Sequence, residues 1–587
     1  MYDVIIKGGS VVDGTGTKPI TADVALKDGL IVEVGRISSS ANKTINAEGL
    51  LVAPGWVDIH THYDGQASWD PQMSPSSWHG VTTAVMGNCG VGFAPAHSHQ
   101  REWMIELMEG VEDIPGAVLS EGVKWEWESF PEYMDAMARI PRIMDIGAQI
   151  PHGALRVFVM GERGANREAA TLDDMKSMAA IAKEAVSAGA LGFTSSRTAV
   201  HRTKQGEAVP SLGAAAQELI TIARAIGETG KGVLQLITDW DDLDAEFKLV
   251  EELVKSSGRP LSYSLLQHDF LPLRWKEVLR RTDIARQGGL DIKAQVACRG
   301  IGMIHGLECS MHPFFLTPSY KAIAHLNMTE RVRELKNPQL RERILAEAAV
   351  PLDNRRLESI TQHFHKYFPI YEQANYEPRV EDSIAGIAKS RGLPAAQVAY
   401  DMVLQEEGHQ KFYFPLYNYS ENNLDVVREM MTHPAALLGL GDAGAHCGYI
   451  CDASYPTYLI QHWARERTRG DKLPIEFLVH AQTQRNARAL GMFDRGALVP
   501  GMKADINLID FDRLDLSTPK VINDLPAGGR RLVQTAQGYV STLVSGQVVM
   551  QEGKPTGVLP GKLVRGGELS ADADMRNRQQ ASVWLDL

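Results

Sequence analysis

Short apolar runs alternate with longer stretches of helical spacing through the middle of the chain. Runs at 56–60, 82–86, 154–160, 191–194, 233–237, 261–266, 292–296 and 437–441 are short and mostly apolar, as strands buried in a parallel sheet are. Intervening segments such as 171–188 and 217–228 carry apolar residues three and four apart, as amphipathic helices do. Strand–helix alternation of this kind predicts right-handed βαβ units closing into an α/β fold, a (β/α)8 TIM barrel. An open, doubly wound sheet is the alternative.

The two ends of the chain have a different texture. β-prone runs at 4–6, 11–12, 23–26 and 31–34 are separated by the turns Asp13-Gly14 and Asp28-Gly29, which predicts a small antiparallel sheet. The same texture returns at 505–509, 540–544 and 547–550, the last two joined by Ser545-Gly546. Residues 1–54 and 491–560 are therefore expected to form one accessory β-sandwich beside a barrel of 55–490. Two stretches interrupt the barrel pattern. Residues 94–142 hold Trp103, Trp125 and Trp127 among acidic neighbours, and residues 299–389 hold a mixed-charge helical block at 330–356. Both follow strand ends, where barrel enzymes carry insertions that enclose substrate; packing on the barrel or on another subunit is the equal alternative. The tail at 561–587 reads as an arm for a homo-oligomer or a loose end.

Hydrophobic residues are 44% and charged residues 22%, a globular composition, and no run approaches the ~20 apolar residues that span a bilayer. No membrane partner is expected. Lys and Arg number 60 against 72 Asp and Glu, a formal charge of −12, which opposes a phosphate backbone and sets nucleic acid aside. Five scattered cysteines, Cys89, Cys298, Cys309, Cys447 and Cys451, do not make a disulfide framework and favour a reducing compartment. The start, Met1-Tyr2-Asp3-Val4-Ile5-Ile6-Lys7-Gly8-Gly9, lacks the basic and apolar regions of a secretory signal, so a cytoplasmic location is expected.

The most informative segment is Asp58-Ile59-His60-Thr61-His62-Tyr63-Asp64. Residues i and i+2 of a strand share a face, so His60 and His62 project together into the mouth of a barrel from the end of its first strand. That makes a metal pincer. Cys89 follows a second apolar run within Gly87-Asn88-Cys89-Gly90, where it is either a thiolate ligand or an inert buried thiol. His268 lies just past the sixth run, and Asp442 just past the eighth. A carboxylate there is placed to touch a metal and to accept a proton from water; alone, an Asp beside Gly441 reads as a turn residue.

Together these residues resemble the amidohydrolase superfamily, and most closely its D-aminoacylase (N-acyl-D-amino-acid deacylase) branch. The His-x-His at 60–62 and the eighth-strand Asp442 carry the superfamily likeness. Gly87-Asn88-Cys89-Gly90 and Trp125-Glu126-Trp127-Glu128-Ser129-Phe130 resemble elements of the deacylase branch. Gly496-Ala497-Leu498-Val499-Pro500-Gly501-Met502-Lys503-Ala504-Asp505 is similar to the segment that re-enters the accessory domain. The resemblance implies that His60, His62 and Asp442 hold one metal, that Cys89 is shared or bridging, and that His268 serves a second site. It implies Zn2+, as one or two ions, since imidazole and thiolate suit zinc, although other first-row divalent ions bind such sites.

There are two departures. The fifth-strand ligand of the deacylases is a histidine, whereas residues 233–240 contain none; either Gln235 or Asp239 takes its place, or one well-held metal suffices. The arginine that grips the substrate carboxylate is not evident after Asp442, leaving Arg197 and Arg299, both at strand ends, as the candidates. The implied activity is hydrolysis of the linear C–N bond of a small-molecule amide, an N-acyl (D-)amino acid, with Asp442 as the proton carrier. A cyclic amide, lactone or carbamate is the alternative substrate class. A catalytically silent scaffold is a reading of a different kind, but it would be expected to have lost His60, His62 or Asp442, and all are present.

Overall fold

The computed structural model describes residues 1–350, 359–361 and 363–566. The expected oligomer arm therefore lies outside the described residues from 567 onward, as do residues 351–356 of the mixed-charge block.

Eight parallel strands build the centre: Trp56–Asp58, Val81–Met86, Asp145–Pro151, Gly192–Arg197, Val233–Thr238, Leu261–Ser264, Ile292–Val296 and Ala436–Leu438. They pair in chain order. The first and the eighth meet just beyond their ends, where His62 N donates to Ala443 O at 2.8 Å and Asp442 N donates to His60 O at 3.2 Å. These two bonds, beside the Thr61–Ala443 bridge, close the ring at its carboxyl-terminal rim. The fold is the (β/α)8 barrel that the apolar runs predict.

The third strand is a correction. The run at 154–160 is part of the helix His152–Met160, and the strand is the less apolar Asp145–Pro151. A short apolar run has the same appearance as a buried helix turn or a buried strand. Here the helix is dry on nearly every side, and even its Arg156 is buried against Glu218.

Both chain ends do form one accessory sheet, of nine strands. It is mixed and not purely antiparallel: Ala41–Asn46 and Leu51–Pro54 run parallel to Tyr2–Val11. Leu51–Pro54 also pairs with Ile506–Ile509, so the returning chain is stitched to the segment that enters the barrel. The sheet curls until Ile31 N reaches Met502 O and Ala504 N reaches Gly29 O. Val4, Ile6, Val24, Leu26, Val52, Ile506, Leu508 and Leu543 fill the inside of the curl. Beneath the barrel, Asp145 accepts from Arg495 (2.6 Å), Lys503 (2.7 Å) and the amide of Lys562 (2.8 Å), tying the third strand to the accessory domain and the tail.

Three excursions crown the opposite rim. The one after the second strand is helical: Arg101–Glu112, Gly116–Gly122 and Phe130–Arg139, the last opened by a Ser129/Glu132 capping box. The one after the seventh strand carries its own sheet of Ile301–His305, Phe368–Ile370 and Lys411–Tyr417 over a separate apolar core, so it extends well past residue 389. The third leaves the carboxyl-terminal segment: the hairpin Lys520–Leu525 with Gly529–Val533 reaches the eighth-strand loop, where Leu532 N donates to Cys447 O. No helix among the described residues is long and apolar enough to cross a membrane.

Candidate active site

His60 and His62 stand at the rim of the first strand, both buried, with ring centroids 5.6 Å apart. The Oε1 of Gln295 on the seventh strand lies 2.7 Å from His60 Nδ1. The amide nitrogen of Gln235 on the fifth strand lies 3.1 Å from the same Nδ1, so two neutral amides flank that edge of the ring and Nε2 points into the cluster. It faces Cys89 Sγ at 3.2 Å and Asp442 Oδ1 at 3.3 Å. His62 Nε2 lies 3.5 Å from the same Asp442 oxygen, and its Nδ1 lies 3.2 Å from Glu112 Oε1.

Cys89 reaches this point through a strained turn. Its own backbone is left-handed, at φ 56°, between Gly87 at φ 82° and Gly90 at φ 70°. A Cβ on Gly87 would sit 2.1 Å from Gln149 O, so only glycine lets the loop press against the third strand. The turn is held by Asn88, whose amide donates to Thr61 O and Val85 O, and by Gln235 on the fifth strand, whose Oε1 accepts from Cys89 N at 3.2 Å. The eighth-strand loop is strained in the same way, with Leu440, Asp442 and His446 at φ 63°, 45° and 53°. Outliers of this kind concentrate where a site is held in shape by its surroundings.

Among the described residues, His60, His62 and Cys89 bring one donor atom each within 4.8 Å of one another, and Asp442 adds a carboxylate oxygen. Two imidazoles, a sulfur and a carboxylate are a donor set that fits a divalent ion of the zinc type. The charge state fits as well. Burial pushes the Cys89 thiol up, but the His60 charge and hydrogen bond, with His62, bring it below its usual value. Burial likewise opposes ionisation of Asp442, yet the bond from His62 and the charges of both imidazoles hold it well below the usual carboxylate range. Farther out, burial raises Asp58 to about 7, Asp64 to about 6 and Glu112 to about 7.

The other expected site residues are engaged in other ways. His268 is outside the cluster and packs against the rings of Phe270 and Tyr417. Gln235 stands at the cluster, its Oε1 accepting from Cys89 N and its Nε2 3.1 Å from His60 Nδ1, while Asp239 accepts from Thr198 and Ala199 in the fourth-strand loop. Both arginines expected to bind substrate have internal partners. Arg197 makes a two-pronged pair with Glu246 and donates to Ala214 O. Arg299 is fully buried, paired with Asp452 at 2.7 Å and stacked on Tyr376 at 3.7 Å. Neither guanidinium faces the cluster as a substrate clamp.

Three neighbours of the cluster escaped the sequence reading. Glu112 ends an insertion helix, Gln295 sits inside an apolar strand, and His446 follows Asp442 by four positions, with its Nε2 3.6 Å from Glu112 Oε2. Only His446 had a local signal, its closeness to the eighth-strand Asp. His201, in the loop after the fourth strand, bonds Ser196; burial, then the charges of His62 and His446, push it down to about 3.

The amidohydrolase family model matches residues 43–550, and the chain belongs to that family. Within it, the chain is similar to deacylases of N-acyl-D-amino acids. It is 24% identical to the N-acyl-D-glutamate deacylase of Alcaligenes xylosoxydans xylosoxydans over 577 residues, 96% of each chain. It is 30% identical to the D-aminoacylase of the same organism over 231 residues, 39% of this chain and 43% of that one. Among solved structures it is similar in fold to the N-acyl-D-glutamate deacylase of Bordetella bronchiseptica complexed with zinc and a phosphonate mimic of the tetrahedral intermediate. That likeness has a TM-score of 0.63 at 21% identity and covers 96% of this chain and 99% of that one.

Proposed function

We propose that this amidohydrolase is metal-dependent and cleaves the linear amide of an N-acyl amino acid, with one ion held by His60, His62, Cys89 and Asp442. The observation that carries the reading is the convergence of these four side chains, from the first, second and eighth strands, on one point of the rim. The deacylase names of the relatives support the linear amide and the D configuration. A single ion is supported by the hydrogen bonds that already occupy Gln235 and Asp239 and by the place of His268 outside the cluster.

A divalent cation bound there supplies Lewis-acid polarisation of the scissile carbonyl and lowers the pKa of water. The chain's own work falls to Asp442. Its carboxylate is held ionised at neutral pH, so it takes a proton from the attacking water as the new C–O bond forms. It then gives that proton to the nitrogen as the C–N bond breaks, because an amide anion is too basic to leave. The Gln295 bond to His60 Nδ1 and the Cys89 turn hold the donors in place throughout.

The test is a metal count on the purified protein together with a substrate panel: N-acetyl-D- and N-acetyl-L-amino acids, a hydantoin and a lactone. Near one ion per chain and release of free amino acid from the D substrates is the expected result. Turnover of the ring substrates alone would move the assignment to cyclic amides or esters. Failure to retain any transition metal after metal-supplemented expression would leave a scaffold protein.

A further inference from the structure

Glu112 closes the helix Arg101–Glu112 of the insertion after the second strand, and its side chain is almost wholly inaccessible to solvent. A buried carboxylate is costly unless it has partners. Those it faces are imidazoles: Oε1 is 3.2 Å from His62 Nδ1, and Oε2 is 3.6 Å from His446 Nε2. His62 Nδ1 and Glu112 Oε2 are both buried without a completed hydrogen bond, so this pair is placed in contact but not yet aligned. Its backbone joins in, since Glu112 O accepts from His446 N. The next residue, Asp113, accepts from Gly448 N at 2.8 Å and from Ser310 Oγ.

The end of one insertion helix thus touches the first-strand imidazole, the eighth-strand loop and the seventh-strand excursion. We propose that Glu112 is a positioning residue: it fixes the proton of His62 on Nδ1, turns Nε2 toward the Asp442 side of the cluster, and makes cation affinity depend on the seating of the insertion. This rests on His62 being a cation ligand. A carboxylate behind a ligating imidazole fixes its tautomer and orientation and raises its basicity, and its loss typically weakens metal affinity 10- to 100-fold. Behind His60 stand the neutral amides of Gln295 and Gln235, so the two imidazoles are supported by different chemistry.

The experiment compares wild-type protein, Glu112→Gln and Glu112→Met, each checked for fold by circular dichroism. Zn2+ affinity is read by chelator competition, and the Co2+ form by its visible d–d spectrum, which reports ligand geometry and not turnover. Gln keeps an acceptor without the charge; Met keeps the volume without the acceptor. Affinity is expected to fall in the order wild type, Gln, Met, by on the order of 10-fold and 100-fold, with a shifted Co2+ spectrum. Wild-type affinity and an unchanged spectrum in the Met variant would overturn the proposal. Should Met not fold, the same two results in the Gln variant decide it. If wild-type protein binds no cation, Glu112 loses this role together with the metal reading. If it binds one and hydrolyses no amide, only the substrate assignment falls.

Discussion

Gln295 Oε1 lies 2.7 Å from His60 Nδ1, and the other end of the same amide donates to Ser262 Oγ at 2.9 Å on the sixth strand. Gln295→Leu keeps the volume and removes both bonds. Divalent-cation affinity is expected to fall by on the order of tenfold or more. Chelator competition measures it, and equal affinity in the variant would show that His60 is oriented by something else.

Asp442→Asn separates proton transfer from ligation. Asn keeps an oxygen facing His60 Nε2 and is among the residues that tolerate the left-handed backbone found here, φ 45°. It has no basic carboxylate. Metal content is expected to stay near wild type while kcat falls by roughly 10²- to 10⁴-fold. A variant with full turnover would remove Asp442 from the proton-transfer role.

These residues also mark how far the sequence reads. His60, His62, Cys89 and Asp442 were accessible because each sits just past an apolar strand, where neighbours in the chain are neighbours on the rim. Glu112 and Gln295 were not, because they act across elements: one ends a helix in an insertion, the other lies within a strand otherwise read as core. The third strand was misplaced for a related reason. Asp145, Gly147, Gln149 and Pro151 make it look like a loop, yet Asp145 is there to pair with Arg495 and Lys503 from the far end of the chain. Arg197 and Arg299 show the opposite limit. A strand-end arginine suggests a ligand, and only the fold reveals Glu246 and Asp452.

That basal cluster yields a stability prediction. Asp145→Asn leaves Arg495 and Lys503 facing a neutral amide in a buried setting, and breaking one partner of such a network costs about 3–5 kcal/mol. Burial opposes ionisation of Asp145, but Lys503 and Arg495 outweigh it and hold the carboxyl below its ordinary value. Its contribution is therefore complete above the unfolded pKa of about 3.9 and lost as the pH falls through the lower folded one. Urea unfolding at pH 7 measures the variant. A loss under about 1 kcal/mol would mean that the cluster is no stronger than a surface pair.

His305 predicts a different pH response, from a base that the fold keeps neutral. It is fully buried, bonded through Nδ1 to Tyr367 OH at 2.9 Å and stacked on Phe414. Burial pushes its pKa down to about 3, against about 6.5 in an unfolded chain. Below pH 6.5 the unfolded chain takes up a proton that the folded state refuses. Stability is therefore full above that pH and is lost progressively as the pH falls toward 3, by up to about 1.4 kcal/mol per pH unit for this group. His312 and His79, pushed down to about 3 and about 4 mainly by burial, steepen the fall. His305→Phe removes one of these bases. It also deprives Tyr367 of its partner, but that cost is nearly the same at every pH, so the slope and not the level carries the information. Between pH 6 and pH 4, urea-derived stabilities of the variant are expected to decline less steeply than wild type by about 1.4 kcal/mol per pH unit. Parallel slopes would mean that His305 takes up its proton within the folded protein.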